Sequence, residues 1–138
     1  MADSIRQIDY HPVEVSDKPG EGFRILSGLK QAGVNLLACC GFPTQGGKAQ
    51  IDLVPENPLT FQNAARKLEL KLSDRKRAFV IQGEDRPGAV ADPLGRLAKQ
   101  EINIIAHQAV CAGNGRWGMI LWVAPADYDR ASKALLES

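Results

Sequence analysis

The chain has 138 residues, 44% hydrophobic and 24% charged, with a formal net charge of +1. That balance is globular, and near-neutrality excludes nucleic acid or an anionic membrane held by bulk electrostatics. No apolar run approaches the roughly 18 residues that a bilayer crossing needs.

In chain order, "MADSIRQIDYHP" lacks a basic start followed by an apolar core, so no secretory signal is expected. "IDYHPVEVS" (8–16) alternates as a strand and runs into Asp-Lys-Pro-Gly. A helical pattern follows, with Phe23, Ile25, Leu26 and Leu29, and stops near Gly33. "VNLLACCGF" (34–42) reads as a buried strand, "KAQIDLV" (48–54) as an alternating one, and "NPLTFQNAARKLEL" (57–70) as a helix. After a charged connection, "KLSDRKR", the order β-α-β-β-α begins again. The elements are "RAFVIQG" (77–83), "PGAVADPLGRLAKQE", "INIIAHQAVC" (102–111), "RWGMILWVA" and "PADYDRASKALLE". "AGNG" is a hairpin turn, and Pro93 predicts a kink or a helix that starts near Asp92.

The two halves are one repeat. Asp17, Pro19, Gly20, Leu26, Leu29 and Asn35 fall over Asp85, Pro87, Gly88, Leu94, Leu97 and Asn103 without a gap, at an offset of 68 (85 − 17). A period of that length is a whole small α+β domain, not a solenoid repeat. The expected boundaries are residues 1–72 and 73–138. A unit of this size is marginal alone, so the two should share a sheet edge or face.

A D-x-P-G turn between first strand and first helix, with "G-V-N-L" or "E-I-N-I" leading the second strand, resembles the ACT domain. The resemblance covers roughly residues 9–136 and implies a fold of two tandem ferredoxin-like modules, α+β, with antiparallel sheets and helices on one face. It leaves the last strand of the second repeat missing, and that of the first shared with or replaced by "RAFVIQG". It also implies a non-enzymatic regulatory protein that binds a small molecule, most often an amino acid, and acts on its own assembly or on an enzyme in trans. The implied contacts are Asp85, Arg86, Pro87, Gly88 and Ala89 with Asn103 and Ile104. In the first repeat they are Asp17, Lys18, Pro19 and Gly20 with Asn35 and Leu36; Glu21 stands where the second repeat has Ala89.

The chemistry fits an amino acid on physical grounds. Free N–H groups at a helix start suit a carboxylate, a glycine lets the backbone approach closely, and Asp and Asn accept from an ammonium. The same residues also make an ordinary turn, so a structural or protein-interaction module without a ligand is the competing expectation. Soft ligands are few. Three cysteines, two of them adjacent (Cys39, Cys40), form neither a disulfide framework nor a metal spacing. Neither metal nor other cofactor is expected, and the location expected is a reducing cytoplasm. Asp85 with His107 is the one faint titratable pair for an enzyme. Laid over Ile51 and Leu53, Ile120 and Trp122 should face the helices. Trp117, Met119, Leu121 and Val123 would then form an apolar outer face that either the first repeat or a second chain must cover, and a homodimer is the prediction.

Overall fold

The computed structural model describes residues 3–137 and divides into two compact units. One is Asp9–Lys76, here the first-turn unit; the other joins residues up to Ile8 with those from Arg77 onward, here the second-turn unit. The six strands form one hydrogen-bonded series, β2-β3-β1-β4-β6-β5, so the repeat does not produce two separate sheets.

In the first-turn unit the trailing part of β1 (Ser4–Ser16) pairs antiparallel with β3 (Lys48–Pro55), and β3 pairs antiparallel with β2 (Leu36–Pro43). Helix α1 (Glu21–Gln31) carries Ile25 and Leu29 four residues apart, so both reach one face. Helix α2 (Pro58–Lys67) is fixed at its start by Asn57, whose side chain accepts from the Leu59 and Thr60 amides, and by Pro58 at the first position. Their apolar faces close on Val13, Ile51 and Leu53 together with Phe61, Ala64 and Ala65. Each fully buried large side chain contributes about 1.5–3 kcal/mol.

The second-turn unit repeats the plan with β4 (Lys76–Glu84), α3 (Ala91–Lys99), β5 (Ile104–Gly113), β6 (Arg116–Val123) and α4 (Tyr128–Leu136), the last entered through a 3-10 turn at Pro125–Asp127. Pro93 lies in the first turn of α3, where its missing N–H costs nothing, and the helix begins two residues before it. Asn114 and Gly115 both have positive φ (56° and 68°), as a two-residue hairpin turn requires. Tyr128 stacks on Phe79 at 4.5 Å and donates to the Ala78 carbonyl at 2.9 Å. The basic linker is drawn in at its end, with the Arg77 guanidinium 4.0 Å over the Tyr128 ring.

Two sequence expectations are corrected. The final strand of the second repeat is not missing: the leading part of β1 lies beside β4 and supplies it, with Ile5 packed on the core. In the first repeat its place is taken by a single bridge, Val13 to Leu72, not by "RAFVIQG". The outer face of β6 was also misassigned. Leu121 and Val123 lie in the helix-side core with Phe79 and Leu97, and Trp117 and Met119 cluster with Ile81 and Ala89. Ile120, on the opposite face, is buried within the single chain. The face expected to need a second copy is therefore the helix-side core of the chain itself. At one end of the strand series lies β5, where every residue after Ile104 is exposed.

Candidate functional site

The two D-x-P-G turns have the same backbone. Asp17 N–H donates to the Gly47 carbonyl (2.9 Å) and Asp85 N–H to Gly115 (2.8 Å); Arg24 N–H donates to Gly20 (2.9 Å) and Asp92 N–H to Gly88 (3.2 Å). Each pair is offset by 68. Gly20 (φ 90°) and Gly88 (φ 83°) are both left-handed, the conformation that turns each strand into its helix. Neither α1 nor α3 has a side-chain cap, whereas α2 has Asn57. The helix starts that follow the repeated turns thus keep N–H groups that no capping side chain satisfies.

Asp17, Lys18, Pro19, Gly20, Asp85, Pro87 and Gly88 are all exposed, Arg86 is half-buried, and Ala89 is buried in the apolar cluster behind its turn. The two ends of each expected site do not meet inside a unit. Ile104 pairs with Val123, while Glu84, the last strand residue before the second turn, pairs with Arg116. That register separates Asn103 and Ile104 from Asp85 by seven residues along the sheet, about 23 Å. Asn35 and Leu36 stand off from Asp17 in the same way, since Leu36 pairs with Pro55 and Ser16 with Lys48. Asn35 instead donates to Glu56 at 2.9 Å.

What surrounds each turn differs. At the second, Arg86 is held by two carboxylates. Its Nη1 and Nη2 each lie 3.1 Å from one oxygen of Asp3, Nη2 is 2.9 Å from Asp92, and Nη1 also donates to the Glu84 carbonyl at 3.0 Å. The Asp3 side chain is only 7% exposed. Hydrogen bonds from Arg86 hold its carboxyl below the usual range against the opposing effect of burial, with further help from the Arg86 charge, the Trp117 indole N–H and Arg96. Trp117 Nε1 is itself buried and lies near that carboxylate without full hydrogen-bond geometry. Gly83 makes room for the carboxylate: a Cβ there would fall 1.9 Å from Asp3 Oδ1 and 3.1 Å from Trp117 Nε1.

At the first turn, Lys18 replaces Arg86 and is exposed. Glu21 pairs with Arg24 at 2.8 Å and Lys48 with Glu14 at 2.9 Å. A cleft of about 290 Å³ opens there, along the β1 edge from Val13 to Ser16, the start of α1 and the segment Leu68–Lys71. Its charges, Glu14, Glu21 and Glu69 against Arg24, Lys48 and Lys71, balance.

The remaining chemistry is quiet. Burial raises the Cys39 thiol and pushes Cys40 up to about 11, with Asp52 adding to both. Cys111 is raised by its contact with the Asp85 carboxylate. None is a ready thiolate at neutral pH. His107 is exposed on β5, and it is Cys111, not His107, that meets Asp85. Among the described residues no group of three His, Cys, Asp or Glu side chains is placed to hold a metal ion, and no helix is long and apolar enough to cross a membrane.

Three contributors escaped the sequence reading: Asp3, Gly83 and Trp117. A glycine inside a strand pattern signals a close approach, and Gly83 was such a signal.

No protein-family description matches the chain, and no curated protein matches its sequence. Solved structures do match its fold. Protein BT0572 from Bacteroides thetaiotaomicron superposes with a TM-score of 0.77 at 19% identity, over 96% of this chain and 89% of that one. The ligand-free regulatory subunit of aspartate kinase from Thermus thermophilus gives 0.64 at 13% identity, over 98% and 95%. Its counterpart from Thermus flavus gives 0.60 at 14%, over 99% and 94%. The chain thus shares an α+β fold with these structures.

Proposed function

We propose that this chain is a non-enzymatic regulatory protein, a tandem of two ACT-like units, that binds an amino acid at its D-x-P-G turns, the second above all. The observation that carries this reading is that both turns keep a left-handed glycine and an uncapped helix start, with N–H donors suited to a carboxylate. The fold likeness to aspartate kinase regulatory subunits supports it. So does one further match, aspartokinase III from E. coli in complex with aspartate and ADP, at a TM-score of 0.55 and 14% identity. That match covers 99% of this chain and 32% of the other. The second turn is the better preserved site in this reading, because Ala89 stands where the first turn has Glu21. Three free thiols suit a reducing cytoplasm.

A thermal-shift screen against the common amino acids tests the reading. A ligand at 100 times its Kd adds about 2.7 kcal/mol, and Gly88→Val removes the shift. A blank screen favours instead an interaction module that works through its open edge. The exposed β5, with Ile105 62% and Val110 68% accessible, is the strand through which a homodimer or another partner would add to the sheet.

A further inference from the structure

The recess behind the second turn has the makings of a receptor for a carboxylate, and it is already filled. Three elements converge on the Asp3 carboxylate. Arg86, from the turn, grips both oxygens at 3.1 Å in the fork geometry that suits a planar anion. Trp117, from β6, is 3% exposed and brings a buried indole N–H to the same space without completing a hydrogen bond. Gly83, from β4, leaves open the volume that any side chain would take from the anion. The Trp117 N–H faces the carboxylate without full hydrogen-bond geometry, which leaves a donor in reserve for an anion seated differently from Asp3. The first-turn unit has none of this apparatus. The same offset of 68 puts Val15, Lys18 and Ala49 where Gly83, Arg86 and Trp117 stand.

We propose that Gly83, Arg86 and Trp117 form a carboxylate-binding site whose resident occupant is the chain's own Asp3, so that a free carboxylate binds by displacing the leading end of β1. Binding would release Asp3 and free the edge of β4 that this segment covers, which couples occupancy of the site to exposure of a strand edge. Because Asp3 is tethered, a free ligand competes against an effective concentration of roughly millimolar or above. Affinity in the intact chain is therefore held down. The inference shares the second turn with the function proposed above but does not depend on the ligand being an amino acid.

Acetate, the Asp3 side chain without its backbone, is the probe. Asp3→Ala empties the recess, and acetate should stabilise this variant saturably relative to chloride of equal ionic strength. Its apparent Kd should be at least about tenfold lower than in the intact chain. The indole N–H resonance of Trp117 should shift with the same Kd. Asp3→Asn, which fills the recess with a neutral isostere, should show neither effect, and Arg86→Leu added to Asp3→Ala should abolish both. If Asp3→Ala does not fold, Asp3→Ser serves in its place. An emptied variant that is no more responsive to acetate than to chloride, or an Asp3→Asn variant that responds equally, would overturn the proposal. Acetate binding to Asp3→Ala alongside a blank amino-acid screen on the intact chain would leave the recess standing and remove the amino-acid reading.

Discussion

The turns at Asp17–Gly20 and Asp85–Gly88 share their backbone hydrogen bonds and glycine conformation, yet one borders an open cleft and the other a filled recess. The cause lies in the neighbouring strand. Beside β4 runs the leading part of β1, which brings Asp3 up to Arg86; beside the trailing part of β1 there is one bridge, to Leu72, and the edge beyond it is open. Duplication therefore preserves the turn as a piece of backbone, while each copy's chemistry is set by what reaches it from outside the repeat.

The largest effects test how far the two units are alike. Leu53 and Leu121, 68 apart, are both fully buried. Leu53→Ala and Leu121→Ala should each cost about 2–5 kcal/mol in urea unfolding; a much smaller cost for either would mean the two cores are not equivalent. Next come the paired strand positions. Gly83→Ala should cost about 1–3 kcal/mol by driving its Cβ into the clamped Asp3, and most of that cost should vanish in an Asp3→Ala background. Val15→Ala, its counterpart, should cost about 1 kcal/mol whatever stands at position 3. Gly20→Ala and Gly88→Ala should lose similar amounts, about 1–2 kcal/mol, since a Cβ at either meets nothing and only the positive φ resists it.

The smallest effects concern pH. In the first-turn unit, burial lowers the pKa of His11, which stacks on Phe61 and meets Gln62 at 3.2 Å. A depressed pKa means the folded state resists protonation, so this contribution is present above 6.5 and is lost as pH falls below it. In the second-turn unit, the lowered pKa of Asp3 gives stability that is present above 3.8 and is lost only as pH falls below that value. His11→Gln should flatten the upper step alone and Asp3→Asn the lower, read from melting temperature against pH.

Much of the fold was legible because it is local. The element order, the Asn114-Gly115 hairpin and the Asn57 helix start follow from residues within a few positions of one another. The facing of β6 was legible too but was read with a slip of one. At the constant offset of 68, Ile51 lies over Met119 and Leu53 over Leu121, which is the register found; pairing Ile51 with Ile120 turned the strand over. The partner of Arg86 was not legible. Asp3 lies 83 residues away in sequence, on a stretch that alternates too weakly to mark itself as a strand, and nothing local to the turn announces it.

The most direct test is amino-acid-induced stabilisation measured on Gly88→Val and Gly20→Val, each against its own unliganded melting temperature. The account predicts that the shift is lost in Gly88→Val and kept in Gly20→Val. A shift that survives in Gly88→Val, or is lost equally in both, would contradict it.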